Sequence, residues 1–570
     1  MMNDELSIGV LDSTLKIGII AGVSAHGITV NLSHAGLRSA SYHKGGRYGR
    51  GEVGEIILIE GQTSLTIGKV LDIKLPEKER TSLHTPASQD EKVDAIGYVQ
   101  VLGSVNICSL AVSAGVVSYP RIGDIVYSAP ARFLAMLPKL TDSDLHKELD
   151  NSVVINLGSI ADDSLNNVAI SPEKLFGRHC AILGSTGGGK SWTTAHLIQE
   201  CAKFNKAKVV VLDATGEYRN LPNEFTMHKH LGEPLNKNQL SESFRIPPTD
   251  FEESDFLTLF EPSGKVQGPK LRAAMKSLRL AQLSPEAADK GIIRKIGQSK
   301  ERYRAALKKD NNSSLVDRPS QPFDVSRLIP QIIEECHYIN GNNWGNRNDA
   351  EIGYCSSLFT RIQSVVYSPS FHAVFGQSNH ESLDSVLSAF LGSDKQVLRL
   401  CLSSTSYEFN AREILANAIG RKLLSYARGE KFIKQPLLAI VDEAHNFLGK
   451  RIGIEEYAIK LDAFEIIAKE GRKYGLNICL ATQRPRDITE GVISQMGTLL
   501  VHRLTNSNDR EIVERACGEV DKTMIAFLPN LKQGELAVVG VDFPIPLTIQ
   551  VHKPSPPPLS DSPSYQHYWS

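Results

Sequence analysis

The chain has 570 residues, of which 41% are hydrophobic and 22% charged, and its formal net charge is −1. This length exceeds what one hydrophobic core supports and predicts about three or four domains. The near-neutral charge excludes a chain that is basic throughout, so any surface for nucleic acid must be local. The eight cysteines include no C-x-x-C pair, which predicts reduced thiols in a cytosolic protein rather than a zinc site or a disulfide framework.

Residues 1–165 are predicted to form a small β-barrel domain. Short apolar or alternating runs recur between glycine, proline and polar turns, which is typical of a small closed barrel. They lie at 17–22, 28–32, 53–59, 64–70, 97–102, 116–118 and 125–127. A glycine-rich loop in this region carries Lys44, Arg47 and Arg50. It is a candidate phosphate contact, although a solvated loop is the commoner meaning of such a cluster.

The sequence shows no segment for export or membrane insertion. The first residues lack a basic region followed by an apolar run. No apolar stretch is long enough to cross a bilayer. We therefore expect a cytoplasmic protein without a membrane partner.

Residues 166–230 and 396–552 are predicted to be the two parts of an α/β core. Continuous apolar runs separated by helix-like stretches indicate a mostly parallel sheet that helices cover on both faces. The runs lie at 180–183, 208–213, 397–402, 437–441, 477–481 and 499–501. The fold class expected from this pattern is α/β, with the barrel at the amino-terminal side of the core.

A mainly helical insertion is predicted at 231–395. This stretch is polar, and apolar residues recur at helical spacing at 273–283 and 351–366. A strongly basic segment at 294–309 is either a solvated helix face, the commoner case, or a surface that faces DNA. The final stretch, 553–570, is rich in proline and serine and is expected to form an arm or a disordered tail.

The most informative stretch of the chain is a complete G-x-x-x-x-G-K-S pattern. It consists of Gly184, Ser185, Thr186, Gly187, Gly188, Gly189, Lys190 and Ser191. An apolar run precedes it and a helix-like stretch follows, which is the context of a phosphate-binding loop. Glycines let backbone N–H groups approach a triphosphate. We expect Lys190 to reach the outer phosphates of ATP and Ser191 to ligate Mg²⁺. Trp192 is grouped with this site by position, and its ring is interpreted as packing.

Two consecutive carboxylates follow the apolar run at 437–441. We expect Asp442 to support Mg²⁺ and Glu443 to activate the attacking water. Capping of a helix is the less favoured role for carboxylates at this position. The letters D-E-A-H at 442–445 suggest the DEAH-box RNA helicases, but that family's S-A-T and Q-x-x-G-R-x-G-R motifs are missing from this sequence.

Three further residues are candidates for contact with the γ-phosphate. Gln483 follows a strand and fits a sensor of the γ-phosphate or of the attacking water. Arg472, at the end of a predicted helix, is the main candidate for a guanidinium supplied to a neighbouring subunit, and Arg178 is the second. Taken alone, each arginine more often serves as a surface or helix-terminal cation.

Together these segments resemble the HerA ATPases, of the HerA/FtsK group of hexameric DNA pumps. The resemblance rests on F-G-R-H at 176–179, D-A-T-G-E-Y at 213–218, D-E-A-H at 442–445, E-G-R-K-Y-G at 470–475 and T-Q-R-P at 482–485. The amino-terminal β region is similar to that family's barrel, and we identify the chain with the family's bacterial type. Ala214 and Thr215 depart from the family, where Pro-His is frequent.

The resemblance implies a function for most of these residues. Lys190 and Ser191 match the family's phosphate and Mg²⁺ residues, and Asp442 and Glu443 match its Walker B pair. Gln483 matches the family's sensor. Arg178 and Arg472 match arginines around the phosphate at the subunit interface, and Asp213 and Glu217 match an acidic pair near the site. The resemblance also implies a RecA-like core, a homo-hexamer with ATP at the interfaces, and double-stranded DNA in the pore.

Two hypotheses about function follow. The first is a translocase or helicase-like motor on double-stranded DNA that works with a partner nuclease of the NurA type, or with a sirtuin-type effector in phage defence. The second is a ring-shaped scaffold that activates its partner effector with little processive motion, with the barrel as docking platform. A membrane-anchored DNA pump is disfavoured because no spanning helix is predicted.

Overall fold

The computed structural model describes residues 11–560 except 33–40, 44–45, 49–50, 76–94, 108–110, 142–152, 162, 235–240, 319–320, 377–378, 454–457 and 518–521, and also Tyr565 and Trp569. The chain folds as two compact units. The first unit is Met1–Phe204 with Asn477–Ser570, and the second unit is Asn205–Leu476. The predicted basic loop around Arg47 lies outside the residues whose side chains are described.

The strands are numbered in chain order. They are β1 (Lys16–Ser24), β2 (Gly27–Leu32), β3 (Ser41–His43), β4 (Gly46–Tyr48), β5 (Ile56–Ile59), β6 (Ser64–Lys74), β7 (Ala95–Asn106), β8 (Val112–Ala114), β9 (Ile125–Ser128), β10 (Ile155–Ile160), β11 (Asp163–Ile170), β12 (Cys180–Leu183), β13 (Lys208–Asp213), β14 (Thr226–Leu231), β15 (Glu242–Arg245), β16 (His337–Asn340), β17 (Asn343–Arg347), β18 (Glu381–Ser382), β19 (Val397–Cys401), β20 (Leu437–Val441), β21 (Arg451–Ile452), β22 (Ile459–Lys460), β23 (Leu476–Thr482), β24 (Thr498–Val501), β25 (Glu535–Gly540) and β26 (Phe543–Val551).

The α-helices are numbered in the same way. They are α1 (Ala131–Leu140), α2 (Pro172–Phe176), α3 (Lys190–Ala202), α4 (Glu253–Phe260), α5 (Gly264–Leu283), α6 (Lys300–Lys308), α7 (Asn312–Leu315), α8 (Leu328–Glu335), α9 (Asp349–Tyr354), α10 (Ser356–Val366), α11 (His372–Phe375), α12 (Leu383–Gly392), α13 (Ala411–Arg428), α14 (Ala463–Glu470), α15 (Glu490–Ile493), α16 (Ser507–Cys517) and α17 (Lys522–Phe527).

The amino-terminal strands form a closed barrel in the first unit. Six strands pair in the order β2-β1-β9-β5-β6-β7, and β2 pairs with β7 to close the sheet on itself. β-branched and leucine side chains alternate along these strands and fill the interior. The interior cluster consists of Ile17, Ile20, Ile28, Val30, Leu32, Ile57, Ile59, Val70, Val99 and Val126. The expected amino-terminal barrel is therefore confirmed.

The first unit also contains the strand that precedes the phosphate loop. β12 lies between β23 and β24 and is parallel to both. The sheet continues antiparallel from β24 through β25, β26 and β10 to β11. Every residue of β12 is buried, as expected for a parallel strand covered on both faces.

The second unit is built on a parallel sheet. Its strands pair in the order β20-β13-β19-β14-β15-β18, and every one of these pairings is parallel. All residues of β13, β19 and β20 are buried. Because parallel strands end at the same edge, the residues that follow β13, β19 and β20 share one edge of this sheet.

Helices dominate the stretch between β15 and β19, as predicted. The basic segment within it is partly internal. Lys295 is buried and forms an ion pair with Glu335 over 2.6 Å. Arg294 pairs with Glu334 at 2.8 Å and with Asp289 at 3.0 Å. Carboxylates of the same unit therefore hold these two cations, which contribute to the fold of the insertion.

The predicted fold class is confirmed: an α/β chain with a RecA-like P-loop ATPase core, an amino-terminal barrel and a mainly helical insertion. The strand predicted at 116–118 is wrong. Those residues form a bend in which Val117 is 70% exposed, and the strand of this region is β8, which pairs with β7. The domain boundaries stay predictions; β10 and β11 join the sheet of β26 rather than the barrel.

Candidate nucleotide site

The phosphate loop joins β12 to α3 in the first unit. α3 begins at Lys190, and the residue before it, Gly189, has a φ of 114°. Gly187 also has a positive φ, of 77°. Side chains disfavour this backbone conformation, so the two glycines give the loop a turn that other residues adopt only under strain. The N–H groups at the start of α3 then face the volume that the loop encloses, which is the arrangement that binds phosphate.

Backbone and hydroxyl contacts hold the loop in place. The N–H and the hydroxyl of Ser185 both donate to the carbonyl of Arg503, at 3.1 and 2.8 Å. The N–H of Gly184 donates to the carbonyl of Thr482, and the N–H of Gly534 to the carbonyl of Gly188, each over 3.4 Å. The loop is thus fixed by the strands on both sides of β12 and by the residue that precedes β25.

A buried histidine, His502, ties the loop to the first turn of α3. Its Nδ1 lies 2.8 Å from the carbonyl of Glu535, and its Nε2 lies 2.9 Å from the hydroxyl of Thr193. A carbonyl only accepts, so Nδ1 carries the hydrogen and Nε2 accepts from Thr193. Burial, with a smaller contribution from the charge of Lys190, lowers the pKa of His502 to about 4. His502 is therefore neutral at pH 7.

The sequence analysis missed His502. The signal was available, because this polar residue directly follows an apolar strand that flanks β12. A Cβ added to Gly184 would lie 2.7 Å from the Cβ of His502. The glycine at the start of the pattern is therefore required by the histidine packed against it.

The structure places Gln483 next to the phosphate loop. Gln483 follows β23, and its Oε1 accepts a hydrogen bond of 2.6 Å from the hydroxyl of Thr186. The carboxamide of Gln483 therefore lies at the edge of the loop.

Arg178 also lies in the first unit, in the turn before β12. Its Nε is 3.4 Å from Asp542, and the side chain is 50% exposed. His179, the next residue, has a φ of 66° and accepts a hydrogen bond from the N–H of Ile478. Within the first unit, Arg178 is therefore a half-exposed cation that pairs with Asp542.

The second unit carries the predicted catalytic carboxylates. Asp442 directly follows β20 and is fully buried, and Glu443 is 7% exposed. Glu443 has a φ of 48°, a left-handed conformation that is strained for a non-glycine residue and concentrates at functional sites. Its Oε2 lies 3.3 Å from Nδ1 of His445. His445, which the sequence analysis assigned no role, therefore lies beside the Glu443 carboxylate.

Asp213 lies at the same edge of the sheet and organises the loop after β13. One oxygen of its carboxylate accepts the N–H groups of Gly216 and Glu217, and the other accepts that of Tyr218. The guanidinium of Arg399, on β19, donates to Asp213 over 2.7 Å. Asp213 and Arg399 are 0% and 1% exposed. The carboxylate of Asp213 is thus used to shape the loop that presents Glu217, and Arg399 is a second residue that the sequence analysis missed.

Arg472 lies on the surface of the second unit. It is exposed, in a short 3-10 turn over Gly471–Tyr474 that follows α14. Gly475, with a φ of 75°, ends this turn. An exposed guanidinium at the end of a helix has the freedom to approach another molecule.

The residues present fit a nucleotide with Mg²⁺. In the first unit, the loop offers backbone N–H donors and one lysine for phosphate, and the hydroxyl of Ser191 is a hard oxygen ligand of the kind that Mg²⁺ prefers. In the second unit, the carboxylate of Asp442 is a ligand of the same kind. Glu443 is a carboxylate of the kind that polarises water. A parallel α/β fold with these groups defines a P-loop ATPase.

The chain is similar to a described family of helicases. The family model described as "Helicase HerA, central domain" matches residues 155–341. A probable helicase of Methanocaldococcus jannaschii is 26% identical over 73% of this chain and 73% of its own. A second probable helicase of that organism is 24% identical over 86% of this chain and 82% of its own. The DNA double-strand break repair helicase HerA of Pyrococcus furiosus is 24% identical over 82% and 79%. Over most of its length the chain is therefore similar to HerA-type helicases.

Among the residues that the structure describes, no helix combines the length and the apolar character that a bilayer crossing requires.

Proposed function

We propose that this ATPase is a motor on double-stranded DNA, a translocase or helicase that forms a homo-hexameric ring. ATP with Mg²⁺ binds on the loop from Gly184 to Ser191. Asp442 supports the metal ion, Glu443 activates the attacking water, and Gln483 senses the γ-phosphate. Trp192 borders the nucleotide. The observation that carries this proposal is the hydrogen bond between Gln483 and the loop residue Thr186, because it joins the sensor to the phosphate loop.

The DNA substrate is proposed from the family. The relative from Pyrococcus furiosus is named a DNA double-strand break repair helicase. A motor that tracks the phosphate backbone needs only locally placed cations, which agrees with a formal net charge of −1. We propose that the motor works in the cytoplasm and feeds a partner nuclease of the NurA type, or a sirtuin-type effector in antiviral defence.

The site assignment is tested with the Lys190→Ala and Glu443→Gln variants. Lys190→Ala is expected to lose ATP binding and hydrolysis, and Glu443→Gln to bind ATP but to hydrolyse it at least about a hundredfold more slowly. The matched control is Lys206→Ala, because Lys206 is exposed and lies outside the phosphate loop. Wild-type hydrolysis by either site variant contradicts the assignment. DNA translocation is tested separately, by the stimulation of ATP hydrolysis by double-stranded DNA.

A second candidate function has its own supporting observation. Val117, Tyr119 and Ile122, between β8 and β9 of the barrel, are 70%, 56% and 74% exposed. Three large apolar side chains on one turn favour a contact with another protein. The ring would then be a scaffold that assembles and activates an effector. Absence of translocation by the isolated protein, together with effector activity that depends on it, would favour this alternative.

A further inference from the structure

Helix α6 carries a cluster of cations in the second unit. Its nine residues include a single carboxylate, that of Glu301, and four cations. The cations are Lys300, Arg302, Arg304 and Lys308. Among the residues that the structure describes, none of the four takes part in an ion pair, whereas Lys295 and Lys309 of the same basic segment do. Arg304 and Lys308 are both exposed and lie one helix turn apart, so they share a face of α6 that is positive and not neutralised.

The hairpin of β16 and β17 is joined to the start of α6. The N–H of Trp344 donates to the carbonyl of Gln298 at 2.9 Å, so the residues just before α6 continue the sheet of the hairpin. Nζ of Lys300 donates to the carbonyl of Gly341, in the turn of the hairpin, at 2.9 Å. The turn of the hairpin therefore lies beside the first residue of α6.

The joint between the hairpin and α6 is buried. Trp344, on β17, is 8% exposed, and its ring meets the ring of Tyr303, on α6, with centroids 5.4 Å apart. The ammonium of Lys295 lies 4.7 Å from the Tyr303 centroid and 5.1 Å from the Trp344 centroid. Such cation–π contacts stabilise the joint. The hairpin and α6 are therefore fixed relative to each other.

The hairpin also exposes two large apolar side chains. Tyr338 and Ile339, adjacent on β16, are 57% and 88% exposed. An isoleucine exposed to this extent buries very little area in the fold, so it adds little to the stability of the hairpin. Large apolar side chains left in water beside cations without ion pairs fit a partner that is apolar in one part and anionic in another.

We propose that the hairpin and α6 bind single-stranded DNA, with an unpaired base stacked on the Tyr338 ring and with phosphates held by Arg304 and Lys308. A duplex offers phosphates but encloses the faces of its bases, whereas an unpaired strand offers both, which is the combination that single-strand sites use. From Lys300 to Lys308 the helix rises about 12 Å, which is long enough to meet several phosphates of one strand. Only the choice of DNA rests on the proposed function. The site shares no residue with the proposed nucleotide site, and it adds an unpaired strand to the duplex proposed as substrate.

The test measures binding of a labelled oligothymidylate to the full-length protein over a range of salt concentrations. Arg304→Ala combined with Lys308→Ala is expected to weaken binding. It should also flatten the slope of log K against log salt by about 1.4, since each phosphate contact on a single strand contributes about 0.7. Tyr338→Ala is expected to weaken binding about tenfold with the slope unchanged. Tyr338→Phe should retain most of the affinity because its ring still stacks.

Matched controls come from exposed residues of the same unit. Lys431→Ala combined with Lys434→Ala removes two exposed cations, and Tyr367→Ala removes a tyrosine that is 81% exposed. Neither control should change the binding of oligothymidylate or its salt dependence.

Two results would contradict the single-strand site. The first is wild-type affinity for oligothymidylate in the double variant of Arg304 and Lys308, or in Tyr338→Ala. The second is equal weakening of oligothymidylate and of a duplex of the same length by Tyr338→Ala. The proposed motor is judged separately, by the stimulation of ATP hydrolysis by double-stranded DNA. If wild type binds oligothymidylate through these residues but the duplex gives no stimulation, the proposed motor is wrong and the single-strand site stands.

Discussion

At the scale of single residues, His502 is the main support of the phosphate loop. It is fully buried, and its two ring nitrogens contact a carbonyl of β25 and a hydroxyl on α3. A neutral imidazole satisfies both partners at once, whereas an imidazolium would place a second positive charge beside Lys190 in a site closed to water. The low pKa of His502 follows from this arrangement.

We predict that protonation of His502 destabilises the fold below neutral pH. The pKa of His502 is about 4 in the folded chain, against an ordinary value of 6.5. Between these values the unfolded chain binds a proton that the folded chain does not, so stability is complete above pH 6.5 and falls as the pH approaches 4. Across this pH range the free energy of unfolding is expected to fall by about 3 kcal/mol.

Urea unfolding of wild type and His502→Asn at a series of pH values measures this loss. Asparagine can still donate to the carbonyl of Glu535 but does not titrate. The variant is therefore expected to be less stable than wild type at about pH 7, and the two stabilities should converge as the pH falls towards the pKa of His502. A constant difference across the range would show that His502 does not titrate in this way.

A second prediction concerns the buried pair of Asp213 and Arg399. Removing one partner leaves the other charge buried, which typically costs about 3–5 kcal/mol. Arg399→Met and Asp213→Asn are each expected to destabilise the chain by about this amount. The double variant should lose much less than the sum of the two, because neither charge is then left alone.

Urea unfolding of wild type, the two single variants and the double variant gives the coupling free energy directly. Loss of the Asp213 carboxylate also weakens its hold on the N–H groups of Gly216 and Glu217, so ATP hydrolysis should fall in both proteins that carry Asp213→Asn. If the double variant lost as much free energy of unfolding as the two single variants together, the interaction between Asp213 and Arg399 would contribute nothing to stability. Arg399→Lys, which keeps the charge, is the control for the change in shape.

At the scale of elements, the phosphate loop contains glycines with different physical roles. Gly184 lies against His502, and an added Cβ would be 2.7 Å from its Cβ. Gly187 has a φ of 77° but no atom within 4 Å of an added Cβ. Gly184→Ala is therefore expected to lower the free energy of unfolding by about 3 kcal/mol through overpacking. Gly187→Ala should lower it by about 1 kcal/mol through backbone strain alone.

Thermal unfolding of the two alanine variants without nucleotide separates these effects. Gly353→Ala is a suitable control. Gly353 lies in a helix, where alanine is a better helix former than glycine, and no atom lies within 4 Å of an added Cβ. The reverse order, with Gly187→Ala the less stable variant, would contradict the packing of His502 against the loop.

Much of the core could be predicted because its strands are apolar throughout. β12, β13, β19, β20 and β24 were all visible as continuous runs. β14 was not, since it contains His228, Lys229 and His230, and a polar run does not indicate a strand. The structure gives two of these buried side chains partners that are distant in sequence: the ring of His230 lies 3.1 Å from the hydroxyl of Ser404, and Lys229 pairs with Glu381. Such pairing depends on tertiary structure and leaves no local pattern.

The residues of the candidate site also divide into those that the sequence alone could predict and those that it could not. Residues whose role comes from a local motif, such as Lys190 and Glu443, could be named from the sequence. Arg399 could not, because a single arginine inside an apolar strand has no meaning until β13 and β19 are known to be neighbours. Gly534 and Gln550 likewise become neighbours only when β25 and β26 pair.

At the scale of the whole molecule, the motifs are distributed over both compact units. The phosphate loop and Gln483 belong to the first unit, and Asp442, Glu443 and Arg472 belong to the second. Arg472 is exposed, and its proposed use is on the nucleotide of an adjacent subunit. Under this proposal Lys190 and Glu443 act within one chain, whereas Arg472 acts on the nucleotide of the neighbouring chain. ATP hydrolysis by mixtures of two variants distinguishes these two cases.

We predict that mixing two inactive variants restores ATP hydrolysis only for one kind of pair. Lys190→Ala and Arg472→Ala chains should each be inactive alone. In a mixed ring, about a quarter of the interfaces would join an intact loop to an intact Arg472, so about a quarter of the wild-type rate should return. Lys190→Ala mixed with Glu443→Gln should stay inactive, because the proposed nucleotide site needs an intact Lys190 and an intact Glu443 in the same chain. If no activity returns with Arg472→Ala, although mass measurement shows mixed oligomers, Arg472 does not act between subunits.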